Sequence, residues 1–461
     1  MSRGTVIDLC YLAAAVSFIV ALKALSSPRR ARSGNLLAAA GMALAIGATF
    51  AQAGLGHVWL IVVAMVVGVA VGVPTARLVK MTAMPQMVAA FNGVGGGAAA
   101  VVSITEFLGV DTRLIATYKV LEVVFGVFVG AVSFAGSALA FVKLQELMTT
   151  RPVTYPAQQL INAVVGLSAL GMVIAILVTS STALLWVLLA LALVLGVIFV
   201  LPIGGADVPV LISLLNSFTG IAVAASGFTL NSNVLVVAGT LVGASGILLT
   251  RMMSLAMGRS LPNILFSAFG SVITASGATE GVDGRSVRAG TPEDVGTLLA
   301  FSRKVVIIPG YGLAVAQAQH SAKELADALM AKGVDVFYAI HPVAGRMPGH
   351  MNVLLAEASV PYEELKEMDE ANPEMATADV ALVVGANDTV NPAARDAPGS
   401  PIYGMPIINA DEAHNIIFLK RSMRPGFAGI DNDLLYNPKT TMLFGDAKDT
   451  LSKLVAAVKR A

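Results

Sequence analysis

Residues 5–257 read as long apolar runs broken by short polar turns, whereas residues 295–461 read as short apolar strands alternating with amphipathic stretches. A bilayer crossing needs about 20 mainly apolar residues. Nine runs reach that length: 5–25, 34–53, 57–79, 83–104, 115–142, 160–180, 182–201, 207–230 and 233–257. Only Ser180, Ser181 and Thr182 separate the sixth and seventh runs, which predicts a tight hairpin. The first run carries Arg3 and Asp8 and continues past Val20 without a small-residue cleavage site, so it reads as a retained span and not a signal peptide.

In the second half the apolar runs fall at 305–309, 334–340, 379–385, 406–409, 416–420 and 442–444, with helical stretches between them. Such alternation predicts a doubly wound parallel sheet. Residues 271–294 are rich in Ser, Gly, Thr and charge and show no periodicity. The expected fold is a polytopic α-helical membrane bundle (1–260), a linker (261–294) and a soluble α/β, Rossmann-like domain (295–461).

Composition agrees with that division. The 461 residues are 56% hydrophobic and 13% charged, about half the charged fraction of soluble domains, and mean hydropathy is +0.78. A net charge of +1 without aromatic–basic interleaving gives no footprint for nucleic acid. A single cysteine, Cys10, excludes a disulfide framework and a thiolate metal site.

Lys and Arg in short loops set orientation. Lys23, Arg29, Arg30 and Arg32 follow the first run, Arg77 and Lys80 the third, and Lys143 and Arg151 the fifth, so alternate loops share one side. Arg113 and Lys119 in the fourth loop are balanced by Glu106 and Asp111. Arg251 and Arg259 after the ninth run fall on the positive side, which places the C-terminal domain in the cytoplasm.

Polar residues inside apolar runs are the first functional signal. Asn92, Glu122, Asn216, Ser217 and Thr219 are costly in lipid, so they should face the bundle interior and mark an ion pathway. Interhelical hydrogen bonding explains the two asparagines as well. Gly93, Gly95, Gly96 and Gly97, and Gly239, Gly243 and Gly246, serve close helix packing or a hinge. "PIGGADVPV" places Asp207 at the cytoplasmic mouth of the eighth run, and Asp207 and Asn216 bracket a candidate proton entrance. No arginine ladder and no TVGYG filter marks a channel.

The second signal is "VVIIPGYGLAVA", a strand, a glycine turn with Gly310 and Gly312, and a helix start, the setting of a dinucleotide pyrophosphate. The following strand ends "YAIHPVAGR" without the carboxylate that holds the ribose 2′-OH of NAD, whereas "FLKRSMRPG" supplies Lys420, Arg421 and Ser422 at a strand end, suited to a 2′-phosphate. An ordinary basic turn is the alternative. Tyr362 and Lys366 form a Y-x-x-x-K pair, but "PYEELKEMDE" reads as a solvated helix face and not as a proton-donating site.

Six blocks, "MTAMPQMVA", "GGADVPVLISLLNS", "PGYGLAVAQAQH", "HPVAGRMPGHMNVLLAEA", "GANDTVNPAA" and "KRSMRPGFAGIDN", resemble the beta-subunit family of proton-translocating NAD(P)+ transhydrogenases over essentially the whole length. The resemblance implies a domain that binds NADP(H), in an orientation reversed from most dinucleotide folds, and accepts hydride directly from NADH held on a partner alpha subunit. Direct transfer needs proximity and orientation, not a general acid. By resemblance Gly310, Tyr311, Gly312, Ala314 and Val315 form the pyrophosphate turn, Arg346 reaches the phosphates, and Asn387 and Asp388 lie near the nicotinamide ribose. Lys420, Arg421 and Ser422 would grip the 2′-phosphate, and the segment holding Gly426 and Gly429 would form a lid.

Asp207 and Asn216 match functionally important family positions, and inward proton passage is the expected coupled process. Several members carry histidine where this chain has Asn92, which cannot titrate. The resemblance further implies a dimer of heteromers in a bacterial cytoplasmic membrane and no activity without the NAD(H)-binding partner. The rival reading is an ion transporter or channel whose dinucleotide fold only senses nucleotides.

Overall fold

In the computed structural model the described residues are 3–25, 28–52, 55–79, 83–109, 117–145, 147–149, 153–204, 207–256, 261, 264, 287–345, 349–398, 400, 402–426 and 428–461. They fall into two compact units, Met1–Thr250 and Arg251–Ala461.

Nine helices among the described residues are long and apolar enough to cross a membrane. They are α1 (Arg3–Leu25), α2 (Pro28–Phe50), α3 (Val58–Leu78), α4 (Met84–Gly109), α5 (Thr117–Leu144), α6 (Gln158–Thr179), α7 (Thr182–Val200), α8 (Val208–Thr229) and α9 (Asn233–Ala256). Their positions follow the nine apolar runs because length and hydropathy alone decide which segments can leave water. Ser180 in the left-handed region and Ser181 make the tight turn between α6 and α7.

Helix α5 is the centre of this unit and packs against α4, α7 and α8, while α1 packs on α2. Small residues permit these approaches. A Cβ added to Gly96 would stand 3.0 Å from the carbonyl oxygen of Gly130, and one added to Gly220 would meet the backbone of Gly239 and Gly243 within 2.8 Å. At these positions the glycines therefore act as contact points between backbones. Lys143, fully buried at the end of α5, donates to the carbonyls of Val200, Leu201 and Ile203 at 3.2, 2.6 and 2.8 Å, adding a charged donor to the turn that ends α7, where Val200 and Leu201 also accept the amides of Ile203 and Val153.

The second unit begins with α10 (Pro292–Ala300), N-capped by Thr291, whose hydroxyl accepts from the Asp294 amide. It continues with β1 (Lys304–Pro309), α11 (Tyr311–Val315), α12 (Gln319–Met330), β2 (Asp335–Ile340), α13 (His350–Glu357), β3 (Leu365–Glu367), α14 (Met368–Met375), β4 (Val380–Val384), α15 (Ala393–Asp396), β5 (Asn415–Lys420), β6 (Thr440–Phe444) and α16 (Ala447–Arg460). The six strands form one parallel sheet in the order β3-β2-β1-β4-β5-β6. Alternate residues of the strands, Val306, Ile308, Phe337, Ala381, Val383, Ile416 and Phe418, fill one core beneath the sheet. On the other face Tyr338 is buried against α12 and donates to the Ala322 carbonyl at 3.2 Å.

Two sequence readings are corrected. Residues 406–409 are not a strand: the Ile408 amide donates to the Thr389 carbonyl and the Asn409 amide to Asn372 Oδ1, so the run crosses outside the sheet while its isoleucines bury. Conversely, 365–367 is no helix face but the edge strand β3, polar because one side of it is open and too short to show a period. Lys366 there pairs with Glu374 and lies 4.2 Å from the Phe337 ring centre, a structural post with no free ammonium for chemistry. The segment read as linker carries structure at its end: the Met442 amide donates to the Arg288 carbonyl at 2.7 Å and the Gly290 amide to the Met442 carbonyl at 2.9 Å, and α10 starts at Pro292.

Candidate functional site

The strand order reverses direction between β1 and β4, and the crevice beyond the carboxyl ends of strands at such a point is where open α/β sheets hold ligands. Gly310 follows β1 there and caps the start of α11. A Cβ on Gly310 would collide with the backbone of Gly385 and Ala386, and one on Gly312 would stand 2.7 Å from Gly385 Cα. The amides of Gly310 and Gly312 donate to the carbonyls of Val384 and Gly385, each at 2.9 Å. These glycines thus bring the turn onto the end of β4, and their N–H groups are engaged there. Tyr311 and Gly312 are half-buried, Ala314 is buried and Val315 is exposed at the end of this five-residue helix.

A second group converges on the same edge from β4 and β5. Asn387 is its hub: Lys420 Nζ donates to Asn387 Oδ1 at 3.3 Å, Asn432 Nδ2 donates to the Asn387 carbonyl at 3.1 Å, and Asn387 Nδ2 donates to Asp388 Oδ1 at 3.1 Å. Asp388 Oδ2 accepts the amide of Ala428 at 2.8 Å, and Asn391 Nδ2 donates to the Asp431 carbonyl at 3.0 Å. Lys420 also donates to the Arg424 carbonyl at 2.8 Å. The segment 424–432 is therefore fastened to the loop after β4 at several points. Burial lowers the Lys420 pKa, and the nearby carboxylates of Asp388 and Asp431 oppose that shift.

Arg421 and Ser422 are exposed beside Lys420, Gly426 is half-buried and Gly429 adopts φ +72° in the fastened segment. Asn387, Asp388, Lys420, Arg421, Ser422, Gly426 and Gly429 thus gather at the ends of β4 and β5, whereas Arg346 lies outside the described residues. Asn391 and Asn432, both buried, were not singled out from sequence; their place inside two chemically distinctive blocks was the available signal. A phosphorylated dinucleotide fits this donor set: close-packed glycines at the switch point, amide side chains, and two cations at a strand end.

His341, at the end of β2, is buried; its Nδ1 accepts the Val343 amide at 3.2 Å, so its Nε2 donates to the Pro406 carbonyl at 2.8 Å. Burial lowers its pKa, opposed by the bond to Pro406.

In the other unit Asn92 joins a cluster of hydroxyls. Its Nδ2 donates to Ser137 Oγ at 2.8 Å and lies 3.4 Å from Ser133 Oγ. Ser133 Oγ donates to the Leu215 carbonyl at 2.8 Å and sits 2.7 Å from Thr219 Oγ1, which is 3.5 Å from the Asn92 carbonyl. Helices α4, α5 and α8 each contribute, and Asn92 Oδ1 is buried without a hydrogen-bond partner among the described residues. Ser217 points elsewhere and donates to the Gly243 carbonyl of α9 at 2.7 Å.

Asn216 is half-buried on α8 and outside this cluster, and Glu122 is half-buried on α5. Asp207 is buried at the start of α8. Nine residues of α-helix span about 13 Å, so Asp207 and Asn216 are not adjacent. Sequence reading missed Ser133 and Ser137, which in an apolar run look like any small residue; their i, i+4 spacing was the clue. Among the described residues no His, Cys, Asp and Glu cluster could hold a metal ion.

Residues 7–457 match the family model described as NAD(P) transhydrogenase beta subunit. Two relatives from Rhodospirillum rubrum, one of them a named strain, both called NAD(P) transhydrogenase subunit beta, are 46% identical over 454 residues, covering 97% of this chain and 98% of theirs.

Proposed function

The chain belongs to the family of NAD(P) transhydrogenase beta subunits, an oxidoreductase family, and from that premise we propose that it binds NADP(H), receives hydride from NADH on a partner alpha subunit, and couples the transfer to inward proton passage. When bound, NADP+ supplies the nicotinamide carbon that takes the hydride. Everything else asked of this chain is binding, orientation and proton handling. Lys420, Arg421 and Ser422 meet the 2′-phosphate, Arg346 a further phosphate, and the turn with Gly310, Tyr311, Gly312, Ala314 and Val315 gives a close-packed floor. Asn387 and Asp388 orient the nicotinamide ribose, and the segment with Gly426 and Gly429 closes over it. The observation that carries this reading is the convergence of Lys420 on Asn387 at 3.3 Å, which unites the basic strand end and the β4 loop at the switch point.

In the bundle, Asp207, Asn216, Asn92 and Glu122 are the candidate proton-pathway residues, and Ser133, Ser137 and Thr219 extend the list. Asn92 does not titrate; it orders water and hydroxyls, and its unsatisfied Oδ1 gives a water one acceptor. One charge moved across 100 mV is worth about 2.3 kcal/mol, a factor of about 50 in an equilibrium, enough to drive hydride transfer toward NADPH. The basic loops support an orientation with the C-terminal domain on the cytoplasmic side, and membership of the family supports a bacterial cytoplasmic membrane and a dimer of heteromers in the assembled enzyme.

Calorimetry on the purified full-length chain tests the binding half. NADP+ should bind saturably, NAD+ with little affinity, and the Lys420→Ala/Arg421→Ala chain should lose NADP+. Equal affinity for both cofactors would favour a nucleotide sensor without 2′-phosphate recognition.

A further inference from the structure

Arg421 does not present a free guanidinium at the end of β5. Its Nη2 donates to Asp446 Oδ2 at 2.7 Å. Asp446 is the N-cap of α16, and its other oxygen, Oδ1, accepts the Lys448 amide at 3.0 Å. The preceding Gly445, at φ +151°, donates its amide to the Lys420 carbonyl at 3.2 Å. The carboxylate is thus anchored by its own helix and aimed back across the sheet edge at the basic turn. The Arg421 guanidinium holds the Asp446 carboxyl below the usual carboxylate range, so a full negative charge stands there at neutral pH.

We propose that Asp446 is a specificity-determining residue of the 2′-phosphate site, an internal counter-anion that competes with the ligand phosphate for Arg421 and so limits NADP(H) affinity. The inference rests on the reading of Lys420, Arg421 and Ser422 as that site. The pair lies at the surface, with side-chain exposures of 63% for Arg421 and 36% for Asp446, and such ion pairs are weak. A phosphate offers the guanidinium a doubly charged, bidentate acceptor and can displace the single contact with the carboxylate. The carboxylate remains beside the bound phosphate, held by the Lys448 amide, and its charge opposes the ligand's own. NAD(H) lacks the phosphate, so Asp446 narrows the gap between the two cofactors. A site held short of its tightest lets reduced cofactor leave after each turnover.

The test uses the full-length chain with NADP+ and NAD+ as probes. Asp446→Asn retains a good N-cap, and Asp446→Ser caps through a hydroxyl, so both remove the charge while keeping α16 capped. Each should bind NADP+ about fivefold more tightly, with NAD+ unchanged. In the Arg421→Ala background the same substitutions should produce no gain, because the competition is for that guanidinium. NADP+ binding that is unchanged or weaker in both variants at an unaltered thermal midpoint overturns the proposal. If the unsubstituted chain prefers NADP+ and loses the preference in Arg421→Ala while both Asp446 variants show no gain, only the role of Asp446 falls. If the unsubstituted chain has no NADP+ preference, the 2′-phosphate site itself falls, and this inference with it.

Discussion

Asp388 Oδ2 accepts the backbone amide of Ala428 at 2.8 Å, tying residues forty apart in sequence. Hydrogen bonds to a charged acceptor contribute about 1.5–3 kcal/mol, and this one joins the loop after β4 to the segment expected to close over the cofactor. In Asp388→Ala, amide exchange of residues 424–432 should quicken and NADP+ affinity should fall by about tenfold. Mass-spectrometric hydrogen exchange on the full chain reads the first effect and calorimetry the second. Unchanged exchange would mean that Asn391 and Asn432 hold the segment by themselves.

Gly310 is constrained by its neighbours. Its position requires the absence of a Cβ, because the backbone of Gly385 and Ala386 occupies that space. Overpacking of this kind costs about 1–3 kcal/mol, so Gly310→Ala should lower the thermal midpoint and weaken cofactor binding together. Val315, exposed at the end of the same turn, provides the control: Val315→Ala should leave the midpoint unchanged.

His341 gives a pH dependence with a defined sign. Its folded pKa is lowered, chiefly by burial, so the unfolded chain binds the proton more readily. The stability that the neutral ring contributes is present above the ordinary histidine value of about 6.5 and is lost as pH falls below it toward the depressed folded value. The C-terminal unit should therefore lose stability as pH falls below about 6.5, and His341→Gln should flatten that slope. Thermal unfolding across the range, followed by tryptophan-independent far-ultraviolet dichroism, measures it.

Lys143 should be structurally sensitive. Removing its ammonium takes one donor from each of three carbonyls near the end of α7; Val200 and Leu201 keep the amides of Ile203 and Val153, while Ile203 loses the Lys143 donor. Lys143→Met should destabilise the bundle by about 3 kcal/mol, seen as a lower midpoint in detergent, while Lys143→Arg should recover part of the loss.

The bundle was legible in the sequence because leaving water demands a composition that few other segments have, so α1–α9 fall where the apolar runs lie. The inner strands were legible for a similar reason: β1 and β4 are buried on both faces and read as the apolar runs Val-Val-Ile-Ile and Val-Ala-Leu-Val-Val. Edge strand β3 lacks that pressure, and its Leu-Lys-Glu carries no signal. The isoleucines at 407 and 408 mimic a strand because burial selects apolar residues whatever the backbone does. Residue types at the candidate site were readable, but their mutual contacts were not. Ser133 and Ser137 become partners of Asn92 only when α4 and α5 pack, and Asp446 meets Arg421 only when β5 and β6 pair.

Hydride transfer to the NADP+ held by this chain is proposed to be coupled to proton passage through its bundle. The direct test reconstitutes the chain with its alpha partner in proteoliposomes and follows reduction of NADP+ by NADH under an imposed inward proton gradient. The gradient should accelerate the reaction, and Asn92→Leu should abolish that acceleration while NADP+ binding persists. A rate indifferent to the gradient in the unsubstituted complex would contradict it.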